Sequence, residues 1–213
     1  MPIYYEDATT RIYKTSCGPY DNNAYLIVCA ETSESLIIDA PMEPDEVLQE
    51  ASGTELQKIL ITHNHQDHLY GLEQIVGATQ APVLVNAADS ENLPTSPNIF
   101  IEDGDIIEVG KLKLKAIHTP GHTPGSTCFS LGNLLFSGDT LFPGGPGRSK
   151  SPEALSEIID SITSKLFLYP DEVEVLPGHG VTTTLGISKK DYAVFASNQH
   201  PADLSGDVTW LES

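Results

Sequence analysis

The stretch Thr62-His63-Asn64-His65-Gln66-Asp67-His68 decides how the rest of the chain is read. It places three imidazoles and a carboxylate within residues 63–68, directly after Lys58-Ile59-Leu60-Ile61, an apolar run with the composition of a buried strand. In an extended chain, side chains two apart point the same way, so His63 and His65 can converge on one metal ion. Asp67 and His68 follow where the chain turns toward a helix at Leu69-Tyr70-Gly71-Leu72, and can face a second ion. Only 7 of the 213 residues are His, so three of them in this stretch predict a metal site rather than a surface loop.

A chain of this length can bury a full core and predicts one domain over residues 1–213. The formal charge of −19, from 30 acidic against 11 basic residues, repels nucleic acid and anionic membranes, leaving a small-molecule substrate as the expected partner. The opening Met1-Pro2-Ile3-Tyr4-Tyr5-Glu6-Asp7 has neither the basic nor the apolar region of a signal peptide, and no later run reaches the ~20 apolar residues of a membrane span. A soluble, cytoplasmic protein is expected. Cys17, Cys29 and Cys128 are odd in number and far apart, which predicts apolar packing rather than disulfides or a cysteine metal site.

Residues 11–16, 24–30 and 35–40 predict an antiparallel meander, with Asp39 at the end of its third strand expected to cap the following turn in preference to supporting the metal site. Helices are expected over residues 44–53 and 72–77, strands over 58–61 and 82–85, and a loop or short helix over 86–97. Strands at 99–101, 105–109 and 111–118 follow, the last two in a hairpin about Gly110. The second half repeats the plan with strands at 126–131, 133–137 and 173–176, a helix at 151–166 opened by Ser151-Pro152, and a last helix from about 188 to 197. The apolar side chains Tyr192, Val194, Phe195, Leu204 and Trp210 predict a tail buried against the body or against a second subunit of a homo-oligomer. Periodicity alone supports mixed α/β.

Three further segments carry candidate ligands: Thr119-Pro120-Gly121-His122-Thr123-Pro124-Gly125-Ser126, Ser137-Gly138-Asp139-Thr140-Leu141-Phe142 and Pro177-Gly178-His179-Gly180. Together with residues 63–68 they resemble the metallo-β-lactamase superfamily, with its H-x-H-x-D-H, T-P-G-H-T-x-G-S, G-D-x-L-F and P-G-H-G segments. The resemblance implies an α/β fold, the four-layer αββα sandwich. It also implies two divalent ions, with His63, His65 and His122 on one, Asp67, His68 and His179 on the other, and Asp139 bridging them. Five His and two Asp without Cys suit zinc ahead of iron or manganese. His118 is expected to be a hydrogen-bonding residue rather than a ligand, and His200 a structural one.

The implied reaction is hydrolysis of an acyl bond by hydroxide held between the ions, with Asp67 and Asp139 as its carboxylates. Within the superfamily, Gly138 to Phe142 followed by Gly147-Arg148-Ser149 resembles the glyoxalase II branch, which hydrolyses hydroxyacyl-glutathione thioesters. The chain departs from that branch twice: only 34 residues follow His179, too few for its helical C-terminal domain, and Lys150 stands where an acidic residue usually follows G-R-[ST]. Persulfide dioxygenases of the same fold, using one iron at positions corresponding to His63, His122 and Asp139, are the alternative, and a metal-binding scaffold without catalysis is a third reading. Residues 142–148, with three Gly and two Pro, are expected to form a loop at the mouth of the site that continues neither strand nor helix, with Arg148 meeting an anionic substrate. No G-K-[ST] follows, which disfavours a phosphate cradle.

Overall fold

Consecutive apolar residues in this chain serve different layers. Ile59 and Ile61 lie in one core and Leu60 in another; Leu134 and Phe136 share a core that excludes Leu135. Strands buried on both faces read as unbroken apolar runs, which is why those segments lack a polar side.

The computed structural model describes residues 2–212. Its first sheet has seven strands in the order β1 (Ile3–Glu6), β2 (Thr10–Cys17), β3 (Asn22–Cys29), β4 (Glu34–Ile38), β5 (Glu55–Leu60), β6 (Val83–Asn86) and β7 (Ile99–Ile101). The first four pair antiparallel, and β4 through β7 pair parallel. The second half supplies β8 (Ile106–Val109), β9 (Leu112–His118), β10 (Thr127–Leu131), β11 (Leu134–Gly138), β12 (Leu141–Phe142), β13 (Gly145–Pro146), β14 (Glu174–Pro177) and β15 (Thr183–Thr184). Of these, β12 and β13 pair only with each other. The rest form a six-stranded sheet in the order β15-β14-β11-β10-β9-β8, with β11 and β14 parallel.

One core lies between the sheets, where Tyr25, Ile27, Leu36 and Leu60 meet Leu114, Phe129, Phe136 and Leu176. A second packs the outer face of the first sheet against α1 (Asp45–Ala51) and α2 (Leu72–Thr79). A third packs the second sheet against α3 (Pro152–Ser164) and α4 (Leu185–Ala196) through Leu155, Ile158, Ile162, Leu185 and Phe195. The layers are therefore α, β, β, α, as the resemblance implied.

Local chemistry moves several boundaries. The Thr184 hydroxyl accepts from the Ile187 amide and caps α4, so that helix starts at Leu185, ahead of the expected 188. Gly77 does not end α2, which runs to Thr79 and stops where Gln80 turns left-handed at φ 57°. Strand β1 was not expected. Residues 141–146 correct the reading of a pure loop: Leu141 and Phe142 pair with Pro146 and Gly145 across a turn at Pro143-Gly144, where Gly144 has φ 82°.

The tail packs on the body. Trp210 is 1% exposed, lies against Phe167 and Tyr192, and donates its backbone N–H to the Gly144 oxygen at 2.8 Å. Val194 is the exception and faces outward. His200 stacks on Phe195 and Nε2 donates to the Phe195 carbonyl, a structural role as expected. All three cysteines are buried and free. Among the described residues, no helix is long and apolar enough to cross a membrane.

Candidate metal centre

The candidate ligands all sit at strand ends or in the connections that leave them. His63, His65, Asp67 and His68 follow β5, Asp139 follows β11, His179 follows β14, and His122 lies between β9 and β10. Parallel pairing of β11 with β14 sets Gly138 beside Pro177, which brings Asp139 next to the His179 loop. The Thr127 amide donates to the Thr62 oxygen at 2.9 Å, joining the two sheets at this edge. Carboxyl ends of parallel strands are where α/β sheets place their sites, because several chain turns open there together.

All seven residues converge. His63, His65 and His122 form one set whose ligand atoms lie within 4.8 Å of one another, and Asp67, His68 and His179 form another. Asp139 stands between them: Oδ1 is 3.4 Å from His68 Nε2, and Oδ2 is 3.4, 3.6 and 4.0 Å from Nε2 of His179, His122 and His63.

The outward ring nitrogens fix the tautomers. His68 Nδ1 donates to Asp39 Oδ2 at 2.9 Å, His122 Nδ1 to the Arg148 oxygen at 2.9 Å, and His179 Nδ1 to the Tyr20 oxygen at 2.8 Å. Thr62 Oγ1 donates to Asp39 Oδ2 and therefore accepts from His63 Nδ1 at 3.0 Å. Each of these four rings then turns its Nε2 inward, while His65 presents Nδ1. Inward nitrogens approach one another at 2.8 Å (His65 and His122), 3.1 Å (His63 and His65) and 3.1 Å (His68 and His179). Ring nitrogens at these distances need a cation between them, a proton or a metal ion.

Asp139 Oδ1 is likewise buried and accepts no hydrogen bond, a condition that costs energy unless a cation satisfies it. These contacts fit a pair of divalent ions.

The charges follow the same division. Burial, then the neighbouring imidazoles, hold His63 well below the ordinary His value; burial, then His122, lower His65 to about 4. His122 is lowered too, chiefly by burial, and the Lys150 ammonium adds to the lowering of both His65 and His122. Burial opposes the charge on His68 and His179, but carboxylates outweigh it: Asp139 and Asp39 raise His68 well above its ordinary value, and Asp139 and Asp67 raise His179 to about 10. Burial likewise resists ionisation of Asp67 and Asp139, and hydrogen bonds and facing imidazoles override it to hold both carboxyls well below the usual range. The end with three nitrogens is neutral and the end with the carboxylates carries the ionic pairs.

Glycine allows this crowding. A Cβ at Gly178 would stand 2.6 Å from His68 Cε1 and collide with Asp139 Oδ1; one at Gly147 would run into the Asp139 carbonyl oxygen.

Asp39 corrects an expectation. It caps no helix, since α1 has Pro44 at its N-cap position and no side-chain cap. Its buried carboxylate instead accepts from Thr62 N and Oγ1, both at 2.8 Å, and from His68 Nδ1, so it orients two candidate ligands from one position. Sequence reading missed four further supporting residues. Buried Asp89 accepts from Asn64 N at 3.0 Å, Thr123 Oγ1 at 2.6 Å and Gly125 N at 2.8 Å, tying the loop of His63 to the loop of His122. Asn22 Nδ2 donates to Asp67 Oδ2 at 2.9 Å, and Asn23 Nδ2 and Tyr25 Oη donate to the Pro177 oxygen beneath His179. The signal available for Asp89 is an acidic residue just past β6, the strand beside β5.

His118 lies outside the cluster and bonds through Nε2 to the Pro124 oxygen. Arg148 is exposed beside the site; its Nε is 3.9 Å from Asp207 Oδ2, while its backbone oxygen holds His122.

Fold and site define an αββα protein with a His/Asp cluster of the kind that holds a divalent metal pair. The family model described as the metallo-beta-lactamase superfamily matches residues 17–186, and the chain belongs to that superfamily. It is similar to the hydroxyacylglutathione hydrolase of Cereibacter sphaeroides, 37% identical over 163 residues that make up 75% of this chain and 62% of that protein, so it spans less than two thirds of that relative. Among solved structures, it resembles ETHE1 from Myxococcus xanthus, 29% identical with a TM-score of 0.76 over 84% of this chain and 81% of that one. It also resembles TTHA1623, solved in a di-iron-bound form, 31% identical with a TM-score of 0.73 over 84% and 97% of the two chains.

Proposed function

We propose that the chain is a metal-dependent hydrolase that cleaves an acyl bond, a thioester such as a hydroxyacyl-glutathione in the first place, and that it works with two divalent ions, zinc ahead of iron or manganese. The observation that carries this reading is the convergence of five inward imidazole nitrogens and two carboxylates with Asp139 facing both sets. His63, His65 and His122 would hold one ion, Asp67, His68 and His179 the other, and Asp139 both. What such a pair supplies when bound is activation of water near neutral pH and polarisation of an acyl oxygen.

The chain's own residues set the geometry. Asp39 and Thr62 fix the ring planes of His63 and His68, and the Arg148 carbonyl fixes that of His122. Asp67, with a side chain 27% exposed, is the carboxylate at the mouth and orients entering water, held from behind by Asn22. Burial of His63, His68 and His122 keeps bulk water from screening the charges around them. The likeness to hydroxyacylglutathione hydrolases supports thioester chemistry.

The test is metal analysis of protein purified without added metal, followed by a panel of thioesters and lactones. About two equivalents of metal with thioester turnover is the expected result. One iron per chain with oxygen consumption on a persulfide would overturn the reading in favour of the dioxygenase alternative.

A further inference from the structure

Beside the three-nitrogen end of the centre lies a pocket of about 450 Å³. His65 and His122 form one side, residues 148–150 a second, and Ser205 with Gly206 the third. The third wall is built by a short β-bridge: Ser149 N donates to the Gly206 oxygen and Gly206 N to the Ser149 oxygen, both at 3.0 Å. Gly206 N also lies 3.1 Å from Ser149 Oγ. The region matched by the superfamily ends at residue 186, so this wall comes from sequence outside it. The pocket's shape is thus a property of this chain's tail.

Two of the chain's 11 basic residues line this pocket. Arg148 is partly committed, with Asp207 beside it. Lys150 is not: among the described residues it, like Lys115 and Lys190 away from the site, has no hydrogen-bond acceptor or ion-pair partner, whereas Lys14, Lys58, Lys111, Lys113, Lys165 and Lys189 each have one. In a protein of charge −19, an uncommitted cation lining a pocket at the ligand residues attracts an anion against the overall field.

We propose that this pocket is a charge-selective substrate subsite in which Lys150 recognises a carboxylate on the small-molecule substrate, with the Ser205-Gly206 segment as its wall. The proposal rests on the hydrolase reading. It makes Lys150, more than Arg148, the residue that sets specificity. The carboxylate can belong to the acyl group or to the thiol, and the volume lies near the lower end of ligand pockets, which span roughly 300–1,000 Å³.

The test uses the metal-loaded full chain and two matched comparisons. In one, butyryl and succinyl thioesters of N-acetylcysteamine differ in acyl charge; in the other, acetyl thioesters of N-acetylcysteamine and 3-mercaptopropionate differ in thiol charge. Wild type should favour the anionic member in one comparison by at least ~10-fold in kcat/KM, through KM, a size set by one charge-assisted contact. Lys150→Glu should abolish or reverse the preference, Lys150→Arg should keep it, and metal content should not change in either. Equal rates on both members in wild type, or a preference that survives Lys150→Glu, would overturn the subsite. If no thioester is turned over, the hydrolase reading has failed; calorimetric binding of succinate that disappears in Lys150→Glu would then still support the subsite, and its absence in wild type would remove that as well.

Discussion

Replacing Asp139 by Asn removes one charge at nearly constant shape. Its oxygens stand 3.4 to 4.0 Å from the Nε2 atoms of four imidazoles, and Oδ1 is buried with no hydrogen bond to lose. A unit charge withdrawn from about 4 Å of an opposite unit charge changes the Coulomb energy by roughly 4 kcal/mol at an effective dielectric of ~20. The amide keeps a carbonyl dipole at the same place, and the carboxylate is costly to bury, so the net loss should be a fraction of that. A net loss of about 3 kcal/mol corresponds to at least ~10²-fold in rate. Bound metal should fall from about two equivalents toward one, because no other candidate ligand faces both sets. The fold should persist, since the core residues and the other six candidate ligands are untouched; circular dichroism checks this beside metal analysis and thioester kinetics. A variant that keeps both metals and full hydrolytic rate would refute the reasoning.

Asp39→Asn should weaken metal binding by ~10- to 100-fold in a competitive chelator titration, because the carboxylate accepts on both oxygens, Oδ1 from Thr62 N and Oδ2 from Thr62 Oγ1 and His68 Nδ1, and an amide must turn an NH2 donor toward one of these sets of donors. The backbone there is left-handed at φ 61°, which Asn tolerates, so Asp39→Ala should lose more stability than Asp39→Asn. Trp210→Ala should lower stability to unfolding by about 3–5 kcal/mol in a denaturant titration, since the indole is fully enclosed by Phe167, Tyr192 and the third core. Burial pushes the Cys17 and Cys128 thiols up from 9.0 to about 11. The folded state therefore holds these protons more tightly than the unfolded one, and the stability they contribute is complete below pH 9 and lost as pH rises toward 11. Equilibrium unfolding across that range should show the decline, and a thiol reagent at pH 7.5 should label neither residue before unfolding.

The parts of the site readable from sequence were those where spacing carries the geometry. Histidines two apart at the end of an apolar strand had to share a face, and the structure brings His63 and His65 together with His122. Strand assignments held where runs were apolar on both sides, as at residues 58–61, because both sheet faces are covered. What could not be read depended on contacts distant in sequence. Asp89 is 34 residues from Thr123, and Asp39 is 29 from His68; nothing local distinguishes a buried carboxylate that accepts several donors from one that caps a turn. Residues 141–146 failed for a different reason: a two-residue strand containing Pro146 pairs only because the tail and Gly147 pin the hairpin against Asp139.

The same division bears on how selectivity can vary without disturbing chemistry. Every candidate ligand lies between residues 63 and 179, inside the region matched by the superfamily, and His68, His122 and His179 are anchored by bonds to a buried carboxylate or to backbone oxygens. The wall made by Ser205 and Gly206 lies outside that region, and the tail meets the loops of the centre through the Ser149 bridge, the Arg148–Asp207 ion pair and the turn that Trp210 clasps at Gly144. Tail and ligands share few atoms, so a change in the tail perturbs pocket shape first and the inward nitrogens second. Residues Arg148 to Lys150 couple the two, since the Arg148 oxygen orients His122 while Lys150 faces the pocket. Substrate choice is therefore expected to shift most through Lys150 and the tail, at constant metal content.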